Sequence, residues 1–215
     1  MNIKFLNVAL GIVLAATTFS ASAQKTLTSG TITMSGEAMG SPVEIKEYFT
    51  PDSAATSFSA GPATIKLLRT NNYSYLIVLV DVPVASMKKA GLASPDDIEQ
   101  AKNEIPKFTY APGTDTKQIS GFNCKKVVAT NTKDNKSYDV WITNDITLPA
   151  GVGNEYYLGI GGIPIQYTSF SQGKESSVTV TAITDAKAPA GTFAVSADYD
   201  KMSLDDLKAM SGGGN

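Results

Sequence analysis

The sequence contains no histidine, one cysteine (Cys124) and one arginine (Arg69) among 215 residues. Each scarcity excludes a class of chemistry. Without an imidazole there is no Ser-His-Asp triad, no Cys-His dyad, no histidine zinc site and no base that titrates near neutrality. A single thiol cannot form an intrachain disulfide, a CxxC redox pair or a four-thiolate metal centre. Eighteen basic against twenty acidic side chains leave a net charge of −2. Nucleic acid is therefore not an expected partner, because phosphate binding needs a basic face.

Long apolar runs are scarce too, and the one notable run lies at the start. Lys4 is the only charge in residues 1–23, an apolar stretch covers 5–19, and Ala21-Ser22-Ala23 places small residues at −3 and −1 of a cut before Gln24. This pattern predicts a secretory signal peptide over 1–23. A membrane anchor is the rival reading, but a span needs about 20 apolar residues. Cleavage would leave 192 residues with a net charge of −3, in a periplasmic or secreted location. No later run is long enough to span a bilayer. In an oxidising compartment a lone cysteine reads as a small buried side chain.

What remains is rich in strand signals. Alternating or apolar segments predict strands at 30–36, 43–49, 63–70, 73–82, 117–119, 125–130, 136–143, 156–160, 163–170 and 174–184. Turn signals separate them: Asn71-Asn72, Lys133-Asp134-Asn135, Gly161-Gly162 and Gln172-Gly173. Two segments change period. Ser94-Pro95-Asp96-Asp97 reads as an N-cap, a proline at the first helical position and acids in the first turn, and predicts a short helix to about Glu104. Ser203 caps a second short helix, 204–210, with Asp205 and Asp206 in its first turn. The fold class expected is mainly β: one domain over 24–211, built as a curved antiparallel sheet or half-barrel of about ten strands with two or more short helices, and a disordered tail at 212–215.

The candidate motifs resolve into ordinary structure. Gly151-Val-Gly153 and Gly159-Ile-Gly161-Gly162 lie between predicted strands, so they read as turns and not as a dinucleotide loop. The acid pairs Asp96-Asp97, Asp198/Asp200 and Asp205-Asp206 lack the glycine and closing glutamate of a calcium loop. Lys88-Lys89 and Lys125-Lys126 are too short to be binding patches. No metal, cofactor or catalytic residue is expected.

Gln118-Ile-Ser-Gly-Phe-Asn-Cys-Lys-Lys126 with Asp139-Val-Trp-Ile-Thr-Asn-Asp-Ile146 resembles the core of the exported proteins of domain of unknown function family 4412. Gly162-Ile-Pro-Ile-Gln-Tyr167 is similar to a further segment of that family, and Thr181 to Met202 to its ending, with Ser196 where the family has proline. The resemblance covers roughly 118–210. It implies kinship with the lipoprotein-carrier fold of the Lol type, a curved antiparallel sheet around an apolar hollow, and brings no catalytic residue or cofactor.

These readings lead to a non-enzymatic envelope protein that binds a lipid or other apolar ligand in the hollow of its sheet. Two rivals stand beside it: a structural or protein-interaction module with a filled core, and a hydrolase working with carboxylates alone. The candidate cavity lining is Tyr73, Tyr75, Ile77, Tyr138, Val140 and Ile142, one parity of two central strands. Residues 73–82 are apolar on both sides, so parity there stays open.

Overall fold

The computed structural model describes residues 24–38, 40–171 and 174–212, so the expected signal peptide lies outside the described residues. The order is β1 (Lys25–Thr26), β2 (Gly30–Ala38), β3 (Ser41–Phe49), β4 (Ser53–Ala60), β5 (Ala63–Thr70), β6 (Leu76–Val82), a 3-10 turn (Pro83–Ala85), β7 (Met87–Leu92), α1 (Pro95–Glu104), β8 (Phe108–Ile119), β9 (Phe122–Asn131), β10 (Ser137–Thr143), β11 (Ile146–Thr147), β12 (Ile163–Ser171), β13 (Lys174–Thr184), β14 (Asp200–Ser203) and α2 (Leu204–Gly212). α2 thus takes in Gly212, the first residue of the expected tail.

Twelve strands form one curved, open sheet in the order β14-β7-β6-β5-β4-β3-β2-β13-β12-β10-β9-β8. It is two hairpin meanders joined where β2 pairs with β13. Every pairing is antiparallel except β14 beside β7. β1 and β11 form a separate two-residue parallel pair. The local reasons are visible in the turns. Ser120 and Gly121 both have positive φ between β8 and β9, the geometry of a primed two-residue hairpin turn. α1 begins at a capping box, with Asp97 N donating to Ser94 Oγ and Ser94 N donating to Asp97 Oδ2.

The inner face carries Ile32, Met34, Phe49, Ala54, Val178 and Val180 in one half, and Val127, Ala129, Val140 and Ile142 in the other. The hollow between them is filled by the segment from Leu148 to Gly162, which buries Val152, Tyr157 and Ile160 against both clusters. A strand was expected at 156–160. The structure instead has consecutive tight turns, with Val152, Tyr157 and Ile160 N–H donating to the carbonyls of Pro149, Asn154 and Tyr157. Gly151, Gly153, Gly159 and Gly161 all have positive φ. Four such residues in eleven keep the chain from extending.

At one end the outer face is covered by a later segment of the chain. Ala55, Leu68, Ile77, Leu79 and Ala90 pack under Val195 and Tyr199. The ion pairs Lys88–Asp198 (2.7 Å) and Lys89–Asp200 (2.9 Å) tie that covering segment to β7. The lysine pair and the acid pair, unremarkable apart, are partners.

Candidate functional site

Register places a charged group on the inner face of the first meander. Arg69 pairs with Ala54, and Glu47 pairs with Ile32 and Thr56, so both side chains point into the hollow. Both are almost completely buried, at 3% and 5% side-chain exposure. Arg69 Nη1 donates to the Gly151 carbonyl at 3.0 Å, and Nη2 donates to Glu47 Oε2 at 3.3 Å and lies 3.6 Å from Glu155 Oε2. Thr56 Oγ1 also donates to Glu47 Oε2, at 2.9 Å. The guanidinium stands 4.8 Å over the Tyr73 ring, and the Tyr73 hydroxyl donates to Glu155 Oε2 at 2.6 Å. One cation thus fastens the filling segment to the sheet.

Two carboxylates share that cation. Glu47 Oε1 is buried without a hydrogen-bond partner, as is Asn154 Oδ1, and both residues line a small chamber of about 20 Å³ with Met34, Glu155, Tyr157 and Tyr167. Burial raises the Glu47 carboxyl above the usual range, against the opposing pull of Arg69. Tyr73 is held well above an ordinary phenol, by burial first and by Glu155 second. Its proton therefore stays in place, and Glu155 serves as a tied acceptor.

Beside this cluster a cleft of about 910 Å³ opens to solvent. One wall is the turn at Pro51–Asp52 and the turn from Thr70 to Ser74. The other is Lys102, the stretch from Ile105 to Phe108, and Tyr110. Ala150, Gly151, Glu155, Tyr156 and Leu158 form the floor. Lys102 Nζ reaches the Asn72 carbonyl on the opposite wall at 3.5 Å. Leu158 is 66% exposed at the rim. Tyr110 hydroxyl donates to the Leu158 carbonyl at 3.1 Å, which holds the floor against β8.

The six residues expected to line a cavity do not form one surface. Tyr73 lines the cleft, at positive φ in the turn before β6 and not within a strand. Tyr75 is exposed. Ile77 pairs with Leu68 on the outer face, under Val195 and Tyr199. Tyr138, Val140 and Ile142 are buried on the inner face, where Tyr138 joins Phe108, Tyr157 and Phe170 in an aromatic cluster below the filling segment. The separation follows from β6 being apolar on both sides: Leu76, Val78 and Val80 take the inner parity. Glu47, Arg69 and Glu155 went unread as a group, although the single arginine of the chain, next to Leu67 and Leu68 in a strand, was a usable signal.

Among the described residues, no group of three or more Asp, Glu or Cys could hold a metal ion, and no helix is long and apolar enough to cross a membrane.

No family model matches the chain, and no curated protein matches it. Two solved structures of PNGF-II, in C2 and P21 space groups, share 17% and 16% identity with it at TM-scores of 0.48 and 0.49. Each covers 85% of this chain, which spans about a third of theirs (32% and 33%). A likeness this distant carries no information on function.

Proposed function

We propose that this chain is a non-enzymatic exported envelope protein that binds an amphipathic ligand, and that the ligand's place is the cleft beside the filled hollow. The cleft itself carries the reading: about 910 Å³, within the range of small-molecule sites, with Tyr73, Phe108, Tyr110, Tyr156 and Leu158 interleaved with polar groups. The resemblance of 118–210 to exported family 4412 supports the location and the absence of catalysis. The polar wall residues Asp52, Asn71, Asn72, Lys102 and Lys107 support an amphipathic ligand over a purely apolar one.

A second reading has its own observation. Val152, Tyr157 and Ile160 fill the hollow as a protein core would, which favours a structural or protein-interaction module. Purification from native envelope material, extraction with organic solvent and mass spectrometry separate the two. A co-purifying amphiphile near one equivalent is expected for the binding protein. A ligand-free extract, together with failure to bind an environment-sensitive apolar dye, would overturn that reading in favour of the module.

A further inference from the structure

The charges of the cleft are not evenly compensated. Glu155 is engaged by Arg69 and Tyr73, and Glu47 by Arg69 and Thr56. Lys102 and Lys107 make no ion pair among the described residues, and the contact of Lys102 is to a backbone carbonyl. Both lysines arise from the same wall, within six residues, and the Lys102 amine leans across to the Asn72 turn. Asp52 faces them from the opposite turn as the one lining carboxylate with no cation. Apart from the Arg69–Glu47–Glu155 cluster, the cleft therefore presents two lysine amines without an ion pair against one such carboxylate.

The apolar surface starts where the amines end. Ile105 and Phe108 continue the lysine wall into Tyr156 and Leu158 on the floor. A bound molecule would meet two ammonium groups at one side and aromatic and aliphatic carbon at the other. A lysine ammonium is a mobile point charge on a long stem and suits carboxylate or phosphate heads of varied shape.

We infer that the cleft takes an anionic amphiphile, its carboxylate or phosphate head at Lys102 and Lys107 and its apolar chain along Phe108, Tyr156 and Leu158. The inference rests on the binding reading above and names the ligand's chemistry. Affinity comes chiefly from burial of the chain. The lysines select the head.

The test is calorimetric titration of the purified protein with four dodecyl probes below their micelle concentrations: dodecanoate, dodecyl phosphate, dodecyltrimethylammonium and dodecyl maltoside. With two partly exposed charge contacts, an anionic probe should bind about tenfold more tightly than the cationic one. The tighter of the two anionic probes separates a carboxylate ligand from a phosphate ligand. The double variant Lys102→Ala/Lys107→Ala, at exposed positions, should lose that preference and keep its affinity for the maltoside. Equal binding of all probes, or a preference that survives in the double variant, overturns the head assignment and leaves the cleft as a binding site. Failure of every probe to bind the unaltered protein overturns the binding reading as well.

Discussion

Arg69 is held by three structures at once: the carboxylate of β3, the carbonyl of Gly151 and the carboxylate of Glu155. Removing it would leave the buried Glu47 and the partly exposed Glu155 without their shared counter-charge. Arg69→Met should therefore lower unfolding stability by about 3–5 kcal/mol in urea denaturation, and an unchanged midpoint would contradict the cluster's role. Glu47→Gln is the opposite case. The amide can still accept from Thr56 and Arg69, and it can donate into the chamber beside Asn154. The sign of its pH dependence is fixed. Because burial raises the Glu47 carboxyl, the native state keeps a proton that the unfolded chain has released. Glu47 thus favours folding most below the ordinary glutamate range, and its contribution declines as pH rises through that range toward the folded value. Stability of the parent relative to Glu47→Gln should fall as pH rises above about 4; a flat difference would contradict a raised Glu47 carboxyl. Cys124 gives a simpler case. It is 3% exposed, and burial pushes its thiol up to about 11. Native protein at pH 7.5 should resist alkylation that goes to completion in denaturant, as mass spectrometry would record.

At the scale of elements, the segment from Leu148 to Gly162 decides what the sheet encloses. Its conformation depends on glycine. Gly151 has φ +79°, and a Cβ there would run into the Asn71 carbonyl oxygen, on a turn that also walls the cleft. Gly151→Ala should destabilise the fold by about 1–3 kcal/mol and weaken cleft binding in the same variant; loss of neither would contradict this packing. Ile77 belongs to the other face, so Ile77→Ala should cost about 2–5 kcal/mol in stability while cleft affinity stays as it was. These two elements also mark where the sequence could be read and where it could not. Period-two alternation located β2, β9, β10, β12 and β13, and the Ser94 and Ser203 caps located both helices, because a half-buried strand and a capped turn leave local patterns. β4, Ser53–Ala60, is mostly Ala and Ser and left no such pattern. The β6 parity was illegible because both of its faces are apolar. The glycines of 151–161 signalled turns, but their effect, a segment folded into the hollow, depends on contacts across the sheet.

The whole molecule joins two meanders at the β2–β13 pair and fills the concavity between them from the second meander. What remains accessible is the cleft where the filling segment meets the turns of the first meander and the end of α1. The expected mainly β fold with two short helices is present, with twelve strands in the main sheet and 56% of the described residues in strand. The site differs from the expected strand-lined hollow for a physical reason: apolar strand faces are covered by chain, and the open apolar surface lies on loops and turns. Backbone amide shifts of the labelled protein, followed by NMR during titration with dodecanoate, test the central claim most directly. Saturable changes confined to residues 70–74, 102–110 and 150–158 are the expected result. No saturable change, or changes centred on Val195 and Tyr199 at the outer face, would contradict the cleft as the binding site.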